Sequence, residues 1–133
     1  MAVAAALALL LSGCVPAAAT VPALERKATA DDVLPVGIVG TSEFDPETAR
    51  YIATYHGVDI YLAKQTSEKF DVLCLIMYAD ASGVSGSVCG GGDHFGLTLG
   101  RVGVSADFVR HGVTPRDIEP GWTQLSDNVV VQG

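Results

Sequence analysis

Hydrophobic positions divide the chain into an apolar leader, a mixed stretch and a long series of short alternating runs. Residues Ala2 to Leu11 are all Ala, Val or Leu. A bilayer span takes roughly 20 apolar residues, so a run of about ten is too short to cross and matches the apolar core of a secretory signal. Further on, Val58, Ile60 and Leu62 alternate with Asp59, Tyr61 and Ala63, the two-residue period of a strand with one buried face. Gln65 to Lys69 is polar and reads as a turn. Phe70 to Tyr78 is apolar at successive central positions, which requires cover on both faces and predicts a central strand. Asp80-Ala81-Ser82-Gly83 is a turn, and Val84 to Cys89 is a return strand weakened by Gly86. Phe95 to Val104 mixes Leu97, Leu99 and Val102 with glycines and reads as one strand or two. Val113 to Asp117 and Glu119-Pro120-Gly121 carry loop and turn chemistry. Trp122 to Leu125 and Val129 to Gln132 form a closing hairpin around Ser126-Asp127-Asn128.

Asp45-Pro46-Glu47 is the best local helix signal. Asp is a preferred N-cap, Pro suits the first helical position, and Glu in the first turn complements the helix dipole. Ala49, Ile52, Ala53 and His56 follow the spacing of a buried helical stripe. Tyr51 and Tyr55 lie on a neighbouring stripe. A helix from Pro46 to Tyr55 or His56 is therefore expected, stopped by a left-handed Gly57. The resulting fold class is α+β, one N-terminal helix on an antiparallel sheet of about five or six strands.

Pairing arithmetic bears on two of the three cysteines. If Ala79 opposes Val84 across the Asp80–Gly83 turn, antiparallel partners place Cys74 against Cys89 and Leu75 against Val88. Opposed residues have Cα atoms about 4.5–5.5 Å apart, a distance that a disulfide bridges. A disulfide-linked hairpin is the favoured expectation. Two buried thiols or a redox pair are the alternatives, although redox pairs usually show Cys-x-x-Cys spacing.

Composition sets limits. The 133 residues are 49% hydrophobic and 17% charged, with a net charge of -7, which favours a folded chain over a disordered one. Scattered basic residues in an acidic chain exclude a nucleic-acid partner, which demands clustered Lys and Arg.

The apolar run ends in Leu11-Ser12-Gly13-Cys14. Here the chain resembles bacterial lipoproteins, whose signals end in a lipobox of an apolar residue, two small residues and an acylated Cys. That resemblance implies lipidation of Cys14, cleavage before it, and a membrane-anchored, exported chain. Unlike the usual signal, this one has no Lys or Arg before Arg26. A secreted segment with a chance Cys is the alternative. Residues 1–13 then form the signal, 14–32 a flexible tether and 33–133 one domain. The tether, rich in small residues with two prolines, would reach about 60 Å when extended. A short helix over Leu24 to Ala30, lying on the domain, is a second possibility. The order of helix, strand, Cys-containing strand, turn and second Cys is also similar to small exported domains of actinobacteria, a resemblance that adds no catalytic residue.

Enzyme motifs are thin: the chain has no phosphate-binding loop, no Gly-x-Ser-x-Gly and no His-Glu-x-x-His. Asp93, His94 and His111 are candidates for a hydrolase or metal site, and Ser85 or Ser87 for a nucleophile with His94 as base. The glycine run Gly90-Gly91-Gly92 reads as a flexible loop, since it lacks the Lys and helix start that a phosphate site wants. Tyr51, Tyr55, Tyr61, Phe95 and Trp122 are candidates for an aromatic binding patch, or for core. The expectation is a non-catalytic envelope module without a cofactor, binding an envelope protein or a wall component. A small-ligand carrier, and then an envelope hydrolase or metal-dependent enzyme, are the alternatives.

Overall fold

A computed structural model describes residues 21–39, 43–65 and 72–133. The expected signal, Cys14 and most of the expected Gln65–Lys69 turn lie outside them. Short helical turns, α1 (Pro22–Glu25) and α2 (Val36–Val39), precede eight strands. These are β1 (Phe44–Tyr55), β2 (Val58–Gln65), β3 (Leu73–Ala79), β4 (Val84–Gly90), β5 (His94–Leu99), β6 (Val104–Val109), β7 (Thr123–Gln124) and β8 (Val129–Gln132). They form two antiparallel sheets, ordered β1-β2-β3-β4 and β5-β6-β8-β7. The fold is thus mostly β, with two four-stranded sheets in place of a single sheet carrying a helix. Among the described residues, no helix is long and apolar enough to cross a membrane.

The helix expected over Pro46 to Tyr55 is strand β1. Its helix-start signal is used locally: the Glu47 N–H donates to Asp45 Oδ1 at 3.0 Å. The ladder then breaks between Asp45 and Arg50, so Pro46–Ala49 bulge opposite Ala63. Thr48 Oγ1 replaces a ladder group there, accepting from the Lys64 N–H at 2.8 Å. Pro46 is tolerated because β1 is an edge strand, and its bulge needs no N–H from that residue. Beyond the bulge, Tyr51, Ile52, Thr54 and Tyr55 are residues that favour strands. His56 and Gly57 have φ of 47° and 76°, the left-handed pair of a two-residue hairpin turn. Gly57 is left-handed as expected, but it turns a hairpin rather than ending a helix.

Strand β3 is buried on both faces. Leu73, Leu75 and Met77 enter a core shared with Val104, Ala106, Phe108, Val129 and Val131 of the second sheet. On the reverse face, Cys74 and Ile76 join Leu34, Ile38, Phe44, Ala49, Tyr61 and Ala63. The N-terminal segment covers that face. The β3–β4 register pairs Ala79 with Val84, Leu75 with Val88 and Cys74 with Cys89. A disulfide joins the two cysteines, with Cα atoms 4.0 Å apart.

Residues 21–32, assigned above to the tether, are folded onto the domain. Val21 and Leu24 are buried in the shared core. Asp32, 3% exposed, accepts from Arg26 Nη1 and Nη2 at 2.7 and 2.6 Å. It also accepts from the Thr29 N–H at 2.7 Å and from the Tyr51 N–H at 2.8 Å. The Arg26 guanidinium and these backbone donors hold the Asp32 carboxyl well below the usual carboxylate range, against the opposing effect of burial. Together with Arg50 Nε, which donates to the Arg26 carbonyl at 3.1 Å, they lay the segment along β1. That occupies polar groups of an edge which would otherwise invite another strand.

Candidate functional site

The two sheets differ in their outer faces. That of the first is covered by residues 34–38, whereas that of the second is partly open. Alternation along β5, β6 and β8 turns Phe95, Leu97, Ala106, Phe108, Val129 and Val131 inward and leaves His94, Asp107, Val109 and Val130 outward. These four outward residues floor a cleft of about 440 Å³. Gly112, Val113, Asp117, Ile118, Glu119 and Trp122 form its walls. They belong to the connection between β6 and β7, which folds back over the sheet through a short 3₁₀ turn, Pro115–Asp117.

Several contacts hold that connection in shape. Gly112, at φ 87°, takes a left-handed conformation that a β-carbon would strain. The Val113 N–H donates to the Asp127 carbonyl at 2.7 Å, and Gln124 Nε2 donates to the Val113 carbonyl at 3.1 Å. The Thr114 hydroxyl donates to Asp117. Beneath it, buried Asn128 donates from Nδ2 to the carbonyls of Val109 and Arg110 at 2.9 and 3.1 Å.

On the floor, His94 Nε2 donates to Asp107 Oδ2 at 3.0 Å. Gly96 makes room for this contact. A β-carbon there would lie 2.0 Å from Asp107 Oδ1 and 3.1 Å from the Ala106 carbonyl. The Gly96→Ala variant should therefore push the Asp107 carboxylate aside and break its bond to His94. The His94 ring resonances should move while the inward-facing Phe95 and Phe108 signals hold. An unchanged His94 spectrum would show that the glycine is not what permits the contact.

The candidates for hydrolase or metal chemistry do not assemble into one centre. His94 pairs with Asp107, whereas His111 Nε2 donates to Asp93 Oδ1 at 3.1 Å. Both members of the second pair are exposed. Ser85 and Ser87 oppose Tyr78 and Ile76, on the cysteine-bearing outer face of the first sheet. His94 is on the outer face of the other sheet, with the core between them, so it cannot serve either serine as base; a base must come within hydrogen-bond reach. Among the described residues, no group of three or more His, Cys, Asp and Glu side chains could hold a metal ion.

The glycine run is where the chain crosses from the first sheet to the second, from β4 to β5. Arg110, 7% exposed, donates from Nε to the Gly92 carbonyl at 3.2 Å and lies 5.9 Å from the Phe108 ring centroid. Gly90 is required by crowding, since a β-carbon there would meet Phe95 Cδ1 at 2.8 Å.

The five candidate aromatics do not form one patch. Tyr55 and Phe95 flank the shared core. Tyr51 and Tyr61 meet edge to face at 5.7 Å on the covered face of the first sheet. Only Trp122 lines the cleft. Asp107, Asp117, Ile118 and Glu119 escaped sequence reasoning. The one available signal was an acid-rich, proline-bracketed loop running into the single tryptophan of the chain. Comparison with protein families, with curated proteins and with solved structures finds no match.

Proposed function

We propose that this protein is a lipid-anchored, non-catalytic binding module of the bacterial envelope, whose ligand site is the cleft on the open face of the second sheet. The cleft carries this reading. It combines apolar walls with a few polar groups, at a volume within the range of ordinary ligand sites of about 300–1,000 Å³. The exported location is supported by the apolar leader, by Leu11-Ser12-Gly13-Cys14, and by a disulfide, which persists in oxidising compartments. A carrier with its ligand enclosed between the layers is less well supported, because Leu75, Met77, Ala106 and Phe108 fill that space at 0% exposure.

Folding of residues 21–32 shortens the tether. Residues 15–20 alone separate Cys14 from buried Val21, a reach of at most about 25 Å. The module would therefore act close to the membrane surface, rather than about 60 Å out as a tether of the full length would allow.

Two measurements test these points. The intact mass of protein from a native membrane fraction should correspond to a chain beginning at an acylated Cys14; an unlipidated chain retaining residues 1–13 would refute the anchor. A photo-crosslinking residue at position 118 should capture an envelope component, whereas one at exposed position 85 on the opposite sheet should not. Equal capture at both positions, or none at 118, would refute the cleft as the binding site.

A further inference from the structure

We propose that the cleft takes an organic cation, an ammonium group carried on an apolar body. This rests on the reading of the cleft as the binding site and names the chemistry of its ligand. Three carboxylates line the site, from Asp107, Asp117 and Glu119, and no Lys or Arg does. Arg116, in the wall turn, is exposed and outside the lining. The one basic side chain present, His94, already donates to Asp107.

Low-dielectric walls concentrate such a negative field in a concavity. Here the apolar lining is Val109 and Val130 on the floor with Val113 and Ile118 in the walls, which also offer contact to an apolar body. Trp122 also lines the cleft, and the quadrupole of an indole attracts a cation, most strongly where water is partly excluded. An anion would meet three like charges within a chain of net charge -7. A neutral saccharide could donate its hydroxyls to the carboxylates, but it would leave the field unused. An ammonium satisfies the carboxylates, the ring and the apolar walls together.

The chain has one tryptophan, so its fluorescence reports on the cleft alone. The test titrates the full chain, in neutral detergent, with benzyltrimethylammonium, benzyl alcohol, phenylacetate and a disaccharide of N-acetylglucosamine. Saturable quenching or a spectral shift is expected with the ammonium, and at least about tenfold weaker responses with the other three. The Asp117→Asn, Glu119→Gln double variant keeps Trp122 and should weaken ammonium binding by about tenfold, since attraction between partly screened charges scales with the charge removed.

Tighter binding of the saccharide or of phenylacetate would overturn the cation assignment, as would ammonium binding unaffected by the double variant. If no probe binds while position 118 still captures an envelope component, the site stands and the ligand class falls. If position 118 also captures nothing, the binding-site reading itself falls.

Discussion

Loss of the Cys74–Cys89 bond should lower the melting temperature of the folded domain by about 10–20 °C. The bond closes a loop with a sequence separation of 15. In the chain-entropy model a loop of that length stabilises the fold by about 3 kcal/mol, by restricting the unfolded chain. In a domain of this size, each kcal/mol corresponds to several degrees. Cys74 is 0% exposed, and its face of the sheet is capped by Leu34, Ile38 and Phe44. Thermal unfolding of the Cys74→Ala, Cys89→Ala double variant, followed by near-ultraviolet circular dichroism, measures the effect. A melting temperature within about 3 °C of the oxidised protein would mean that the β3–β4 ladder and its two packed faces suffice. Because the cysteines already face each other in a local hairpin, the fold should survive with the same register.

Replacing Asp32 by alanine should cost about 3 kcal/mol and release the N-terminal segment. Arg26 is 40% exposed, so its guanidinium can return to water, and the ion pair itself contributes only about 1 kcal/mol. The larger part comes from the Thr29 and Tyr51 N–H groups, each of which loses an acceptor in a half-buried setting at about 1 kcal/mol. Val21 and Leu24 should then leave the core together, visible as rapid amide exchange across residues 21–32 with protection of β2 and β3 retained. Continued protection of residues 21–32 would show that Val21 and Leu24 hold the segment without the carboxylate.

The same group sets a pH dependence. Its carboxyl is held below the usual range in the folded state, first by the Arg26 side chain. The stabilisation is therefore complete above the unfolded value of about 3.9 and is lost as pH falls from there through the lower folded value. The stability difference between the parent chain and Asp32→Asn should be constant near neutrality and shrink in acid. A difference that grows on acidification would contradict the sign.

Local order was legible where the responsible interactions are close in the chain. The Ala79–Val84 register, the opposition of Cys74 and Cys89, the two-faced burial of Leu73 to Met77 and the closing hairpin each follow from a turn and the alternation beside it. Residues 45–55 were misread because Asp45-Pro46-Glu47 satisfies the same local hydrogen bond in a bulge as at a helix start. Ala49, Ile52 and Ala53 can be aligned with either period. In the folded chain the His56-Gly57 turn lays the segment alongside β2, where its backbone groups pair along the ladder. The N-terminal segment was taken for tether because it combines small residues and two prolines with no clear amphipathic period. Its attachment rests on one carboxylate collecting donors from residues 26, 29 and 51, which no local pattern announces.

For the candidate site the division is sharper. By itself the sequence determined an apolar leader ending at a lipobox-like Cys14, a cysteine pair in one hairpin and the absence of familiar enzyme motifs. Tertiary structure alone decided that β8 lies between β6 and β7. That placement brings Val130 beside Asp107 and lets the loop bearing Asp117, Glu119 and Trp122 fold over both. The cleft joins residues 94, 107, 109, 112, 113, 117–119, 122 and 130, and bringing residues so far apart in sequence together costs loop-closure entropy that the packing of the shared core has to offset. Ser85, Ser87 and His94, near enough in sequence to suggest chemistry, were put on opposite outer faces by the same stacking of two sheets.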